Sequence, residues 1–203
     1  MPRNRWDIIS KLIIDNKIRT VADIGISKGQ TVSGIKRNLH DSMPGGYQLE
    51  AYYGIDPFLE PYFKIEQSML NDFNNWLPFK MVEKTSNDFF TEYKDLRVDL
   101  IFIDGDHRPE QYKKDLSNSK TALKEGGILI GHDYIPALLD RKAYATVNAD
   151  WTNEPYYRIS EYIDSFVGEE NLNFEQDKRV ESGKPVFIWW TFKKGDKFSK
   201  VRE

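Results

Sequence analysis

The segment from residue 98 to residue 134 constrains the fold of this chain most strongly. Two apolar runs, 98–103 and 128–131, each stop at an acidic turn, Asp104-Gly105-Asp106-His107 and His132-Asp133-Tyr134. The polar segment between them has helical spacing, and continuous apolar runs of this length are typical of strands covered on both faces of a parallel sheet. Parallel strands joined by a helix end at one edge, where open α/β sheets bind ligands. We therefore expect both acidic turns to face one crevice.

The rest of the chain continues this alternation of strand and helix. Such an alternation predicts an α/β fold, a Rossmann-like, doubly wound sheet in which most strands are parallel. With 203 residues, the chain is expected to form a single domain, 1–203, and the segment 135–155, which has no clear period, is expected to be a substrate loop. Ser86 is expected to be the N-cap of the predicted helix that ends at residue 93. The predicted strands are 19–24, 49–55, 79–84, 98–103, 128–131, 172–176 and 186–192, and the predicted helices are 5–17, 30–39, 62–76, 86–93, 109–123 and 156–167.

Composition excludes several classes of function. The chain contains no cysteine, so disulfides, thiolate catalysis and zinc–sulfur sites are excluded. A net charge of −3 gives no reason to expect nucleic-acid binding, and the basic stretch 193–202 is expected to be a solvated tail. No apolar run approaches the roughly 20 residues of a membrane span. Since no signal-peptide pattern is present either, we expect a cytoplasmic protein without a membrane partner.

A glycine-containing turn after the first strand is the first candidate binding segment. Asp23-x-Gly25-x-x-x-Gly29 leads from a strand into a helix, so Gly25 would let a ligand approach the backbone, and the N–H groups of the helix would point at it. The spacing differs from the dinucleotide fingerprint, which disfavours an NAD-linked dehydrogenase. A plain strand–helix turn remains an alternative. Asp56, which closes the second strand, could accept hydrogen bonds from both hydroxyls of a ribose.

Five short segments together resemble the class I S-adenosylmethionine (SAM)-dependent methyltransferases, especially small-molecule O-methyltransferases of the catechol type and sugar- and antibiotic-tailoring enzymes. The resemblance implies a seven-stranded sheet with an antiparallel last strand, and SAM as the cofactor. It also implies that Gly25, Ser27 and Gly29, after Asp23, line the methionine end of SAM, that Asp56 holds the ribose, and that Ser86 and Asn87 lie beside the adenine. The five segments are 23–29, 54–57, 85–88, 102–107 and 126–134.

The same resemblance implies a divalent cation in the crevice, with Asp104, His132 and Asp133 as its ligands. A cation lowers the pKa of an acceptor hydroxyl and fixes its position, and Asp104 would thereby take part in catalysis. His132 stands where some relatives have a carboxylate, and an imidazole weakens the case for magnesium and admits manganese or iron. His132 could instead support the ligands or face the substrate. Related sugar methyltransferases place a general base at the position of His107, and an imidazole suits that role.

The sequence thus predicts a SAM-dependent methyltransferase that acts on a hydroxyl of a small molecule, such as a sugar or polyhydroxylated metabolite, with a divalent cation, Mg or Mn. The alternatives are a metal-independent enzyme with His107 as base and a SAM- or nucleotide-binding module without catalysis. A homo-oligomer is left open. Two groups of aromatic residues follow strand five: Tyr134, Trp151, Tyr156 and Tyr157 are candidates for the acceptor pocket, and Phe166, Phe187, Trp189 and Phe192 are expected in the core.

Overall fold

The computed structural model describes residues 3–42, 47–57, 65–76, 79–141, 157–181 and 184–202. Strands and helices alternate along most of this part of the chain, as predicted. The helices are α1 (Arg5–Asp15), α2 (Gln30–Asp41), α3 (Gln67–Asn74), α4 (Ser86–Glu92), α5 (Pro109–Ala122) and α6 (Tyr157–Val167). The strands are β1 (Thr20–Ile24), β2 (Ala51–Ile55), β3 (Phe79–Val82), β4 (Val98–Ile103), β5 (Leu123–Tyr134), β6 (Asn173–Glu181), β7 (Lys184–Lys194) and β8 (Lys197–Ser199).

The strands form one mixed sheet in the order β3-β2-β1-β4-β5-β7-β6. The pairs among β1 to β5 are parallel, and β7 runs antiparallel to both β5 and β6. The chain therefore has the predicted Rossmann-like α/β fold with an antiparallel strand near its end. Because β1, β2, β4 and β5 are parallel, the turns that follow them lie at one edge of the sheet.

Side chains alternate between two apolar layers, one on each face of the sheet. In β4, Leu100 and Phe102 join the layer that packs against α1, α2 and α3. Ile101 and Ile103 join the opposite layer, which packs against α4, α5 and α6. The period-2 alternation of a strand thus buries all four residues from 100 to 103, as expected for a central parallel strand.

The end of the chain differs from the prediction. The stretch expected to be a basic, solvated tail extends β7 to Lys194 and then forms β8, an eighth strand among the described residues, which pairs with the last part of β7. Phe198 explains the difference, because its side chain is buried and its ring centroid lies 5.6 Å from that of Phe166. One apolar residue among lysines is enough to anchor the segment.

Three boundaries also differ. Residues 126 and 127 were expected to separate a helix from a strand that ends at residue 131, but β5 begins at Leu123 and continues through both glycines to Tyr134. The second acidic turn, predicted at 132–134, therefore lies within the end of β5. The N-cap of α4 is Thr85, whose side chain accepts a hydrogen bond from the Asp88 N–H, and not Ser86. Most of the predicted loop 135–155 lies outside the described residues, as do residues 62–64 of the predicted third helix. Within the described part of the chain, no helix combines the length and apolar character needed to span a membrane.

Candidate active site

The turn after β1 is held in place by backbone geometry. Gly25, Ser27 and Gly29 all have left-handed backbone angles, with φ values of 89°, 47° and 77°. The Ser27 N–H donates to the Asp56 Oδ2 at 2.9 Å, which ties this turn to the end of β2. Gly29 is the N-cap of α2. The predicted segment 23–29 and Asp56 therefore form one unit at the edge of the sheet.

Gly25 is required for a reason that the sequence did not reveal. A Cβ at this position would lie 2.4 Å from the Asp104 carbonyl oxygen and 2.5 Å from the Gly105 Cα. The missing side chain thus makes room for the turn after β4, whereas the sequence argument assigned that room to a ligand. This contact brings the cofactor turn and the first acidic turn against each other.

Asp23 is buried beneath this turn. Its Oδ2 accepts a hydrogen bond from the Tyr52 hydroxyl at 2.6 Å. Burial raises the pKa of Asp23 to about 7, although the Tyr52 hydroxyl acts in the opposite direction. Asp23 therefore supports the turn from below and titrates near neutral pH.

Ser86 and Asn87 lie at the start of α4, where their side chains are tied to α5. The Ser86 hydroxyl donates to Asp115 Oδ1 at 2.6 Å, and the Asn87 amide donates to Gln111 Oε1 at 2.8 Å. Burial raises the pKa of Asp115 to about 6, while hydrogen bonds from Ser86 and Gln111 lower it. This polar network fixes the first turn of α4 beyond the end of β3.

The two acidic turns meet, as the sequence predicted. One ligand atom from each of Asp104, His107 and Asp133 lies within 4.8 Å of the others. The His107 Nε2 is 3.5 Å from the Asp133 Oδ2. Asp133 has a left-handed backbone, with φ of 60°, and the pairing of β5 with β7 shifts between Gly131 and Tyr134. Strained backbone of this kind is concentrated at functional sites.

His132 lies behind this cluster and is fully buried. Its Nε2 is 2.9 Å from the Asp177 Oδ2, and its Nδ1 is 2.8 Å from the Asp133 Oδ1. Burial lowers the pKa of His132, but three surrounding carboxylates outweigh that effect and raise the pKa to about 10. Both ring nitrogens thus face carboxylates. The structure groups His107, rather than His132, with the two aspartates predicted as cation ligands.

A sequence comparison identifies the family. The family described as "Methyltransferase domain" matches residues 22–134, which is more than half of the chain. The chain belongs to this methyltransferase family. The matched range contains the glycine turn, Asp56 and both acidic turns, so the class I, SAM-dependent identity suggested by those segments is confirmed. A search of curated protein sequences finds no significant match.

Solved structures share the fold of the methyltransferase at low sequence identity. An O-methyltransferase from Bacillus cereus, solved in complex with SAH, has a TM-score of 0.63 and 16% identity over 93% of this chain and 80% of that one. The N-methyltransferase NodS from Bradyrhizobium japonicum has a TM-score of 0.60 and 13% identity over 93% of each chain. An rRNA methylase from Streptococcus thermophilus has a TM-score of 0.59 and 11% identity over 94% of this chain and 96% of that one. Such similarity shows the fold alone, and these three names cover three kinds of acceptor.

The methyltransferase has two site residues that the sequence analysis missed. Arg5, in the first turn of α1, places its Nη1 2.6 Å from the Asp104 Oδ2. Asp177, in β6, is the buried partner of His132. Arg5 is separated from its partner by 99 residues and Asp177 by 45, and neither belongs to a recognisable motif. The sequence carried no signal for either contact.

The donor set of the crevice fits a divalent cation. Two carboxylates and an imidazole are ligands that manganese accepts more readily than magnesium does. The Asp104 Oδ2 lies beside Arg5 and the Asp133 Oδ1 beside His132, while the Asp133 Oδ2 lies 3.5 Å from the His107 Nε2. Asp106, on the same turn, pairs instead with Arg108. Trp151 and Tyr156, proposed for the acceptor pocket, lie outside the described residues, and Tyr134 is buried with its hydroxyl donating to Asp164 at 2.9 Å.

Proposed function

We propose that this methyltransferase transfers a methyl group from SAM to a hydroxyl of a small molecule, such as a sugar or another polyhydroxylated metabolite. The observation that carries the proposal is the cluster of Asp104, His107 and Asp133 directly beside the cofactor turn. A hydroxyl must lose its proton to become a good nucleophile, and an imidazole next to a carboxylate can take that proton.

The cofactor end is formed by the turn at 25–29 and by Asp56. SAM, when bound, supplies a methyl group on a positively charged sulfur. The Asp56 carboxylate accepts the Ser27 N–H, and a carboxylate at the end of β2 is the type of group that binds ribose hydroxyls in Rossmann-like folds. The N–H groups at the start of α2 suit the carboxylate of the methionine part. Ser86 and Asn87, held by α5, are proposed to border the adenine.

At the acceptor end, His107 is the proposed proton acceptor. A ring nitrogen of His107 would take the proton of the acceptor hydroxyl, and the Asp133 carboxylate, 3.5 Å from the His107 Nε2, would stabilise the resulting imidazolium. Asp133 is oriented by the buried His132, which Asp177 fixes from the other side. A low-dielectric surrounding strengthens each of these interactions.

Asp104, His107 and Asp133 are also the residues that would hold a divalent cation. A cation there would lower the pKa of the acceptor hydroxyl, so that the hydroxyl ionises without a strong base. The metal-independent mechanism, with His107 alone as the base, is the second candidate. The ion pair between Arg5 and Asp104 favours it, because Asp104 already has a cationic partner.

The test is a screen of hydroxyl-bearing small molecules, with and without a chelator, that measures the S-adenosylhomocysteine released from SAM. The proposal expects release with at least one such acceptor, and expects His107→Ala to reduce the rate by about a hundredfold or more while SAM binding is retained. Asp106→Ala is the matched control, because Asp106 lies on the same turn but pairs with Arg108. Full turnover by His107→Ala would exclude His107 as the base. Methylation of amines only would exclude the proposed acceptor class.

A further inference from the structure

We propose that Arg5 and a divalent cation compete for Asp104, so that the N-terminal segment, residues 3–5, controls whether the crevice holds a cation. The inference rests on the proposed function only through Asp104, which that function treats as a cation ligand. It assigns a positioning role to Arg5, a residue outside the segment that matches the methyltransferase family, which begins at residue 22.

The contact itself is strong and shielded from water. The Arg5 Nη1 is 2.6 Å from the Asp104 Oδ2, and the two side chains are only 14% and 16% exposed. A guanidinium is always charged in proteins, and a charge-assisted hydrogen bond of this length is stronger than one between neutral groups. Because both groups are largely buried, solvent and salt screen the pair less than they screen surface ion pairs. Asp104 thus has a permanent positive partner.

The segment that carries Arg5 is fixed to β6. The Arg3 Nε donates to the Glu175 Oε1 at 2.7 Å, and the Lys178 N–H donates to the Arg3 carbonyl oxygen at 2.8 Å. At the start of α1, the Asn4 N–H donates to the Asp7 carboxylate at 3.2 Å, which orders the first turn of the helix. Arg5 is therefore delivered to the crevice by ordered chain. The same strand contributes Asp177, the partner of His132.

Electrostatic repulsion between the Arg5 guanidinium and a bound cation would cause the competition. A cation bound by Asp104, His107 and Asp133 would lie a few ångströms from the guanidinium, where two positive charges repel each other strongly at the reduced dielectric of a partly buried site. Either positive group can neutralise Asp104. With Arg5 in place, His107 would act as the proton acceptor, and with a cation in place His107 would be one of the ligands. Arg5 thereby separates the metal-independent state of the crevice from the metal-bound state.

Binding of Mn²⁺, followed by the electron paramagnetic resonance signal of the free ion, tests this without any acceptor. We expect Arg5→Gln to bind Mn²⁺ at least about tenfold more tightly than the wild type, because one nearby positive charge is gone. Arg5→Lys keeps the charge and should remain within about threefold of the wild type. Asp133→Asn, added to Arg5→Gln, should abolish the tight binding, which would assign the ion to this cluster.

Arg3→Gln is the matched control, because Arg3 lies on the same segment but pairs with Glu175 on β6. It should leave the affinity for Mn²⁺ unchanged within about twofold, since the charge beside Asp104 and the backbone hydrogen bond from the Lys178 N–H to residue 3 are both retained. Equal affinities of the wild type and Arg5→Gln, equal tightening by Arg3→Gln, or no binding of Mn²⁺ by any variant would overturn the inference. Thermal melting of each variant verifies that it is folded. Calorimetry with SAM on the same proteins separates the two proposals. Absence of SAM binding by the wild type would contradict the proposed function, but it would not contradict the competition between Arg5 and a cation for Asp104.

Discussion

The cofactor turn and the acceptor crevice lie side by side, but different forces hold them. The turn at 25–29 is fixed mainly by its backbone. Three of its residues have left-handed φ values, and Gly25 has no Cβ that would clash with the turn after β4. One backbone N–H, that of Ser27, donates a hydrogen bond to Asp56. The crevice is fixed by side-chain charges that come from α1, β4, β5 and β6. The region proposed to bind the cofactor depends on local chain geometry, and the other depends on long-range ion pairs.

This difference has a consequence for substitutions. A backbone-determined turn tolerates many side chains but not a change at a residue whose conformation or contact requires glycine. A crevice built from paired buried charges tolerates paired replacement, but it is damaged when one member of a pair is removed. We therefore expect the turn to be damaged by replacement of a required glycine, and the crevice to be damaged by removal of one member of an ion pair.

The largest effect is expected from Gly25→Ala. The new Cβ would lie 2.4 Å from the Asp104 carbonyl oxygen, and φ at this residue is 89°. We expect a loss of about 4 kcal/mol in the free energy of unfolding, from left-handed strain and overpacking together. Denaturant unfolding measures it. Gly195→Ala is the control, because φ is 56° there but no atom lies within 4 Å of the added Cβ. The control should lose only about 1 kcal/mol, and equal losses would show that close packing does not matter at Gly25.

The second effect concerns the charges of the crevice. Asp177→Ala leaves the buried His132 without the carboxylate that lies 2.9 Å from its Nε2, and we expect a loss of about 3 kcal/mol in the free energy of unfolding. Asp15→Ala removes a pair with Lys11 in which both side chains are more than half exposed, and it should cost less than about 0.5 kcal/mol. The same unfolding experiment applies. Similar costs for the two variants would contradict the view that buried charge organises the crevice.

The third effect is a pH dependence of stability that comes from Asp23, which is buried beneath the turn at 25–29. The pKa of Asp23 is raised to about 7 by burial, so the folded protein holds a proton that the unfolded chain releases near its ordinary pKa of 3.8. The contribution of Asp23 to stability is full below pH 4 and is lost as the pH rises toward 7, with a slope of at most about 1.4 kcal/mol per pH unit. Asp23→Asn keeps an acceptor for Tyr52 but cannot ionise. The difference between wild type and variant should therefore change over this range, and a constant difference would contradict the assignment.

Much of the fold could be predicted from the sequence, because local patterns decided it. The apolar run at 98–103 identified a strand buried on both faces, and its acidic turn was correctly paired with the one at the end of β5. β8 was missed because a single buried aromatic residue, Phe198, holds it among charged neighbours. The N-cap of α4 was assigned one residue too late, since Thr85 and Ser86 are equally good caps by composition.

The site was predictable only where its residues lie in the turns themselves. Gly25, Ser27, Asp56 and Asp104 follow strands directly and Asp133 lies at the end of β5, so strand prediction was enough to bring them to one edge. Arg5 and Asp177 reach the crevice from α1 and β6, and no local pattern indicates which charged residue of a helix or an edge strand will turn inward. The position of His107, rather than His132, in the cluster with Asp104 and Asp133 has the same cause, because the direction of the His132 imidazole depends on a distant partner.

Calorimetric titration with SAM tests most directly the claim that a cofactor turn and a separate acceptor crevice share one edge of the sheet. The wild type should bind one SAM per chain. Asp56→Ala should bind about thirtyfold more weakly, because it loses acceptors worth about 2 kcal/mol, and His107→Ala should stay within about threefold of the wild type. Wild-type affinity in Asp56→Ala, or equal weakening in His107→Ala, would contradict the division of the site into these two parts.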